Sequence, residues 1–236
     1  MGVEIHSPSS FAGTDLARRI ADFGKKVRGR IKPEFTTETV RYGLRRDLAV
    51  PITHPSAKIP ITVRHATDAD IAILLPADTS AMDPADAREV FWRRGFIAKV
   101  GIEGCHVAVD GRDGSPAYMQ WLFGPTRNDA IAKVGGFAEL APDEALLENA
   151  YTPPTHRGLG IMSVAMALIA ERAEALGARY VLTYVGTDNV ASLKGCHRAG
   201  FAPHLTHTRR FTAYGLLKSD SFATMPADDP RRILSF

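Results

Sequence analysis

One stretch narrows the fold more than any other: Tyr151-Thr152-Pro153-Pro154-Thr155-His156-Arg157-Gly158-Leu159-Gly160-Ile161-Met162-Ser163. Residues 146–152 before it read as a strand, and the proline pair ends that strand. Residues 158–176 after it read as a long helix. A strand that runs through a glycine-bearing turn straight into a helix leaves unpaired amides at the helix start. With the positive end of the helix dipole, those amides form an anion site. Glycine lets phosphate oxygens come close to the main chain, and Arg157 and Ser163 add side-chain donors, so the turn suits a diphosphate. It is not a Walker loop, because no Gly-Lys-Ser/Thr follows, and no Gly-x-Gly-x-x-Gly dinucleotide fingerprint is present.

The elements around this turn are expected in a fixed order. A strand at residues 61–64 precedes a helix opened by Thr67-Asp68-Ala69-Asp70 and a second helix at 84–99, with Trp92 and Phe96 on one side. Strands at 105–109 and 117–123 flank the turn Gly111-Arg112-Asp113-Gly114, a hairpin signal. Residues 124–143, with Gly135-Gly136, read as a loop with a little strand. After the turn come the helix, a strand at 180–185, a helix at 190–199 and a strand at about 208–216. The 180–185 strand is apolar or β-branched on both faces, as a strand covered by helices on both sides must be. The fold class is therefore α/β (α+β mixed sheet).

The net charge of +3 is too small to imply nucleic acid, but it is unevenly spread: residues 1–58 hold 11 Lys and Arg against 6 Asp and Glu, and the remainder 18 against 20. Within residues 14–32, Leu16, Ile20, Phe23, Val27 and Ile31 recur at helical spacing among arginines and lysines. Such a basic amphipathic helix either packs on the rest of the protein or meets an anionic membrane surface or an acidic partner. A short strand at 40–48 follows, then a proline-rich linker. The expected organisation is a basic N-terminal extension (1–58), a core domain (59–218) and a tail (219–236). The longest apolar run, residues 164–170, is far below the ~20 residues of a membrane-spanning helix. The N-terminus shows no secretory pattern, and two cysteines are too few for a disulfide framework. The expected location is cytoplasmic.

A second string, Asn189-Val190-Ala191-Ser192-Leu193-Lys194-Gly195-Cys196-His197-Arg198-Ala199-Gly200-Phe201, follows the 180–185 strand. With it the chain resembles the GNAT superfamily of acyl-CoA-dependent N-acyltransferases. That family's Arg/Gln-x-x-Gly-x-Gly/Ala motif falls on Arg157, Gly160 and Met162. Its Asn-x-x-Ala/Ser followed by Gly-Phe falls on Asn189, Ser192, Gly200 and Phe201. The firm likeness covers residues 144–201. The resemblance implies a GNAT-like acyl-CoA N-acyltransferase fold with an N-terminal helical extension, in which the strand ending at Thr152 parts from its neighbour to leave a V-shaped slot. It implies pantetheine along Ala150, Tyr151 and Thr152, and pyrophosphate on His156, Arg157, Gly158, Leu159, Gly160, Ile161, Met162 and Ser163, with Asn189 and Ser192 beside them. The implied co-substrate is acetyl-CoA or another acyl-CoA, with no metal. The implied acceptor is an amine of a small molecule, sugar or peptide, and an oligomer is compatible. Two variants stand beside this: an acyl carrier protein as donor, docked by residues 14–32, and a module that binds acyl-CoA without chemistry.

Direct attack of an amine on a thioester needs a base, an oxyanion donor and an acid for the leaving thiolate. Glu148, on the strand before the turn, is the first candidate base; the competing reading pairs it with an arginine or has it position substrate. Cys196 stands where the family often has a proton-donating tyrosine, and is either the acid or inert packing. Tyr184 is another donor, as is His197 if its helix is rotated. Met162 is bulkier than the family's small residue there. Strict alternation puts Asn149 and Tyr151 on the face opposite Glu148. Tyr118 and Trp121 are adjacent to the acceptor's expected place or in the core. His204 and His207 lack the company a metal site needs.

Overall fold

A computed structural model of the chain describes residues 36–213, 216–234 and 236. The basic helix expected over residues 14–32 lies outside the described residues. Residues 39–209 with 220–236 form one compact unit. Outside it, Arg210 donates to Glu38 over 3.0 Å.

The strands are β1 Thr37–Asp47, β2 Ile61–His65, β3 Cys105–Asp110, β4 Pro116–Phe123, β5 Glu144–Tyr151, β6 Tyr180–Gly186, β7 Ala202–Thr212 and β8 Leu217–Thr224. The α-helices are α1 Asp68–Leu74, α2 Pro84–Val100, α3 Asn128–Val134, α4 Ile161–Glu171 and α5 Val190–Arg198. One mixed sheet runs β2-β3-β4-β5-β6-β1-β7-β8. The β5–β6 pair is parallel, and β2–β3, β3–β4, β4–β5 and β1–β6 are antiparallel.

Local chemistry explains the helix starts. At α1 the side chain of Thr67 accepts from the Asp70 amide while Asp70 accepts from the Thr67 amide, a reciprocal cap that satisfies two otherwise unpaired donors. Arg64 closes on both Asp70 oxygens at 2.6 and 2.8 Å, holding that carboxyl well below its usual range. At α2, Asp83 caps the Ala85 amide and Pro84 opens the helix.

The sheet carries a core on each face. Ile161, Ala165, Met166 and Ile169 of α4, with Leu193 and Cys196 of α5, cover Ala145, Leu147, Val181 and Val185. On the other face Leu74, Val90, Val100 and Ile131 cover Val107, Met119, Trp121, Leu146, Leu182 and Tyr184. All residues of β4 are buried, Gln120 among them, so this strand shows no alternation of exposed and buried positions.

Four expectations need correction. The strand expected at 40–48 as part of an appendage is β1, which lies between β6 and β7 in the middle of the sheet. Gly43 permits that position: a Cβ there would stand 2.5 Å from Leu205 Cδ1 and 3.2 Å from the Tyr184 ring. Residues 124–143, expected as a loop with a little strand, contain α3, a helix too short to declare a period and closed by Gly135 at φ 77°. On α2, Phe96 meets Trp121 edge-on at 5.3 Å, whereas Trp92 points outward and is 66% exposed, so the two do not share a buried side. The final strand expected at about 208–216 is the end of β7, which starts at Ala202 and stops at Thr212; β8 follows from Leu217, and Met225 beyond it is buried. Among the described residues no helix is long and apolar enough to cross a membrane.

Candidate active site

β5 and β6 pair only through Glu144–Tyr180, Ala145–Val181 and Leu146–Leu182. Past Leu146, β5 bends away. Its ladder with β4 sets Trp121 opposite Glu148 and Met119 opposite Tyr151, so Asn149 and Ala150 together face Gln120 alone. Asn149 takes up the extra residue at φ 59°, a left-handed conformation that asparagine tolerates. This bulge sharpens the local bend and opens the gap between the parallel strands. It also corrects the alternation argument: Met119 and Trp121 share a face, so Glu148 and Tyr151 do as well.

An outer cleft of about 530 Å³ begins at the gap, bounded by the end of β5, the turn, the start of α4 and α5. Every residue expected to hold the cofactor lines it except Leu159, which packs into the core while its carbonyl accepts from the Lys58 amide at 2.8 Å. His156 Nε2 lies 3.5 Å from the carboxylate of Asp110 on β3. Arg112 grips that carboxylate and holds it down at about 2. Arg157 donates to the Thr152 carbonyl and to Asp86 of α2, at 3.2 and 2.6 Å, so its guanidinium bridges the cleft mouth.

The two glycines of the turn have different reasons. Both have positive φ, 74° at Gly158 and 78° at Gly160. A Cβ on Gly158 would meet nothing within 4 Å, whereas one on Gly160 would meet the Ser56 carbonyl oxygen at 3.0 Å. Gly160 thus accommodates the linker, and Gly158 leaves room for a ligand. No side chain caps α4, so its first amides lack partners from its own N-terminus. On the far wall, Asn189 Oδ1 accepts from the Ser192 amide at 3.1 Å, which spends that side chain on starting α5.

Deeper in, a slot of about 280 Å³ brings Glu148, Tyr184 and Cys196 together with Arg93. Part of Glu148 faces the slot, but its Oε2 is shut off from solvent and has no hydrogen-bond partner. Desolvation pushes this carboxyl up to about 7, against the pull of Arg41, the Asn149 amide and Arg93. Asn149 Nδ2, Tyr151 OH and Arg93 Nε are likewise buried without partners. Such concentration of unpaired polar atoms is rare away from a ligand site.

Cys196 is fully buried, its thiol 3.7 Å from the Met166 sulfur and pushed up to about 12 by burial. The Tyr184 hydroxyl accepts from the Ala138 amide at 3.4 Å, and burial raises it too. His197 is exposed on the outer side of α5 against Phe236, away from the slot. Tyr118 donates to Gln120 at 2.8 Å, and Trp121 donates to the Gly101 carbonyl at 3.1 Å from within the core. Among the described residues no group of three His, Cys, Asp or Glu is placed to hold a metal.

Two arginines were missed from sequence. Arg93 lies on the stripe of Val90, Ile97 and Val100, and a charge on a buried helical face was the available signal. Its Nη2 donates to the Ala150 carbonyl at 2.6 Å. Arg41, on β1, lies against the ring of Tyr184, which lines the slot, and nothing in its local sequence announces that.

Residues 89–201 match the family model described as Acetyltransferase (GNAT) family. No curated protein matches the chain. Among solved structures, a GCN5-related N-acetyltransferase from Sphaerobacter thermophilus is 14% identical with a TM-score of 0.47, over 86% of this chain and 69% of that one. A Drosophila protein gives 9% identity and 0.48, over 86% of this chain and 59% of its own length. A GCN5-related N-acetyltransferase from Kribbella flavida gives 15% and 0.44, over 84% and 63%.

Proposed function

We propose that this chain, which carries a transferase domain of the GNAT acetyltransferase family over residues 89–201, moves an acyl group from acyl-CoA, most simply acetyl-CoA, to a primary amine with Glu148 as base. The family generally uses acetyl-CoA, and the residues here fit such a donor. The open side of Gly158 and the uncapped amides of α4 suit a diphosphate. The unpaired polar atoms at the bulge suit a ligand with its own amides. When bound, the thioester supplies an electrophilic carbonyl and a thiolate leaving group.

The observation that carries the reading is Glu148 itself. A carboxylate with Oε2 unpaired, poised near neutrality at the end of the cleft, is matched to taking a proton from an ammonium group. Arg93 turns from α2 toward the same slot and orders the bulge through the Ala150 carbonyl. Of the two donors, Tyr184 suits the acid's part better than Cys196. Its hydroxyl proton is free while the oxygen accepts from Ala138, whereas the Cys196 thiol packs on Met166.

Free-thiol release from acetyl-CoA and longer acyl-CoA donors over a panel of amines tests the reading. Turnover with at least one amine, lost in Glu148→Gln with donor binding retained, is the expected result. Tight donor binding with no turnover on any amine would instead make the chain a binding module.

A further inference from the structure

Arg93 from α2 and Glu148 from β5 line one slot of about 280 Å³, and of the described residues around it they alone are charged. Tyr184 and Cys196 stay neutral there because burial pushes both groups up. No ion pair joins the two charges. Arg93 has its ion partner on its own helix, Glu89 one turn earlier, at 3.6 Å and half exposed. Among the described residues Glu148 has no ion partner: Oε1 accepts from the Asn149 amide at 3.2 Å, and Oε2 has no partner at all. The guanidinium is held at the bulge, where Nη2 donates to the Ala150 carbonyl at 2.6 Å and the Tyr151 ring centroid lies 4.9 Å away. Its Nε is nevertheless without an acceptor, as is Nδ2 of Asn149, another residue of the slot. Opposite charges in so small a cavity gain by closing on each other. Held apart, each is costly until a ligand brings it a partner.

We infer that the acceptor is a small zwitterion, an α-amino acid or an amine with a carboxylate equally near, whose ammonium group lies against Glu148 and whose carboxylate is taken by Arg93. The inference rests on the reading of Glu148 as base and names the substrate class for it. A carboxylate finds unused N–H donors on the guanidinium and on Asn149, and hydrogen bonds between ionised groups are the strong ones. The ammonium group gives Glu148 its counter-charge and brings the proton to be removed to the group that removes it. Arg93, Ala150, Met162, Asn189 and Ser192 line the outer cleft as well as the slot, so the slot opens toward the place of the donor. The acyl group and the acceptor therefore share its volume, which keeps the acceptor small. A polyamine or an aminosugar brings an ammonium group and leaves Arg93 without its anion. The N-terminus of a peptide does the same, because an amide stands where the amino acid has its carboxylate.

The test compares amino acids with their own amides, glycine with glycinamide, alanine with alaninamide and serine with serinamide, by thiol release from acetyl-CoA with the full chain. For the best pair, kcat/KM should favour the acid on the order of 100-fold, because the amide leaves the guanidinium unpaired. Arg93→Gln should slow the acids far more than the amides and bring the ratio within a few-fold of one. Arg93→Lys, which keeps the charge, should retain most of the preference. Isothermal titration of the same pairs into the complex with coenzyme A reads the preference without turnover. The comparison in the parent protein needs no substitution, so it decides even if the Arg93 variants fail to fold. Amides used or bound as well as the acids overturn the inference, as does a preference that survives in folded Arg93→Gln; acyl transfer to such amines then leaves the functional reading in place. A panel in which no acid is bound or acylated also overturns it. Acids that bind more tightly than their amides through Arg93, in a protein that acylates none of them, keep the zwitterion site and remove the functional reading.

Discussion

The sulfur of Met162, in the first turn of α4, stands 3.1 Å from the point that a Cβ on Gly195 of α5 would occupy. Met162 takes the place where the resemblance calls for a small residue, and Gly195 makes the room. The helix still starts at Ile161, and Met162 lines both the outer cleft and the inner slot.

Replacing Gly195 by Ala should therefore push Met162 into the cleft. Left to intrinsic propensity, Ala would stabilise α5 by about 1 kcal/mol. The expected outcome is several-fold weaker binding of coenzyme A, largely restored when Met162→Ala is added. Isothermal titration of all four proteins in the cycle checks it, and strictly additive losses would contradict it.

Gly160→Ala should cost more stability than Gly158→Ala. Each substitution forces a left-handed conformation on alanine, at about 1 kcal/mol. Only Gly160→Ala also drives a methyl onto the Ser56 carbonyl. Urea denaturation should rank them in that order, and calorimetric titration should show Gly158→Ala weakening coenzyme A binding, because its methyl enters space left for the ligand.

Glu148 predicts opposite effects on activity and stability. The base must be ionised, so turnover should rise with pH through about 7, and Glu148→Gln should abolish that limb and lower kcat by about 100-fold or more. A carboxyl raised on folding is ionised earlier in the unfolded chain, so stability falls as pH rises from about 4.5 to about 7 and is level above that. The penalty above pH 7 is on the order of 3 kcal/mol. Glu148→Gln should melt higher than the parent at pH 8 and show no such gain at pH 4.

Arg46 ties β1 to α4: Nη1 donates to the Ala167 carbonyl at 3.0 Å and Nη2 meets Glu171 at 2.8 Å. Arg46 is 4% exposed and Glu171 36% exposed, with His54 3.3 Å away. Glu171→Ala strands a buried cation and should cost about 3 kcal/mol. Arg46→Met leaves an acid that water and His54 can serve, and should cost about 1 kcal/mol. Chemical denaturation measures both, and the reverse order would refute the account.

The strand, glycine turn and helix around residues 146–171 were legible because each is specified by neighbours a few residues apart: proline ends the strand, glycine shapes the turn and apolar spacing makes the helix. Those local rules also located the α1 cap and the β3–β4 hairpin, whereas Glu148, Tyr184 and Cys196 were singled out through the family resemblance. The same rules failed at α3, too short to show a period, and at Trp92, whose spacing from Phe96 said nothing of which side would find a partner. Only the tertiary structure decided that β1 inserts beside β6 and delivers Arg41 and Arg46. That pairing joins residues far apart in the chain, and it depends on Gly43 meeting Leu205. The bulge at Asn149 belongs to the same class, because an extra residue exists only relative to the strand it faces. A sequence specifies its chemistry and its local periods, but the electrostatic setting of Glu148 depends on which distant arginine the fold brings to its slot.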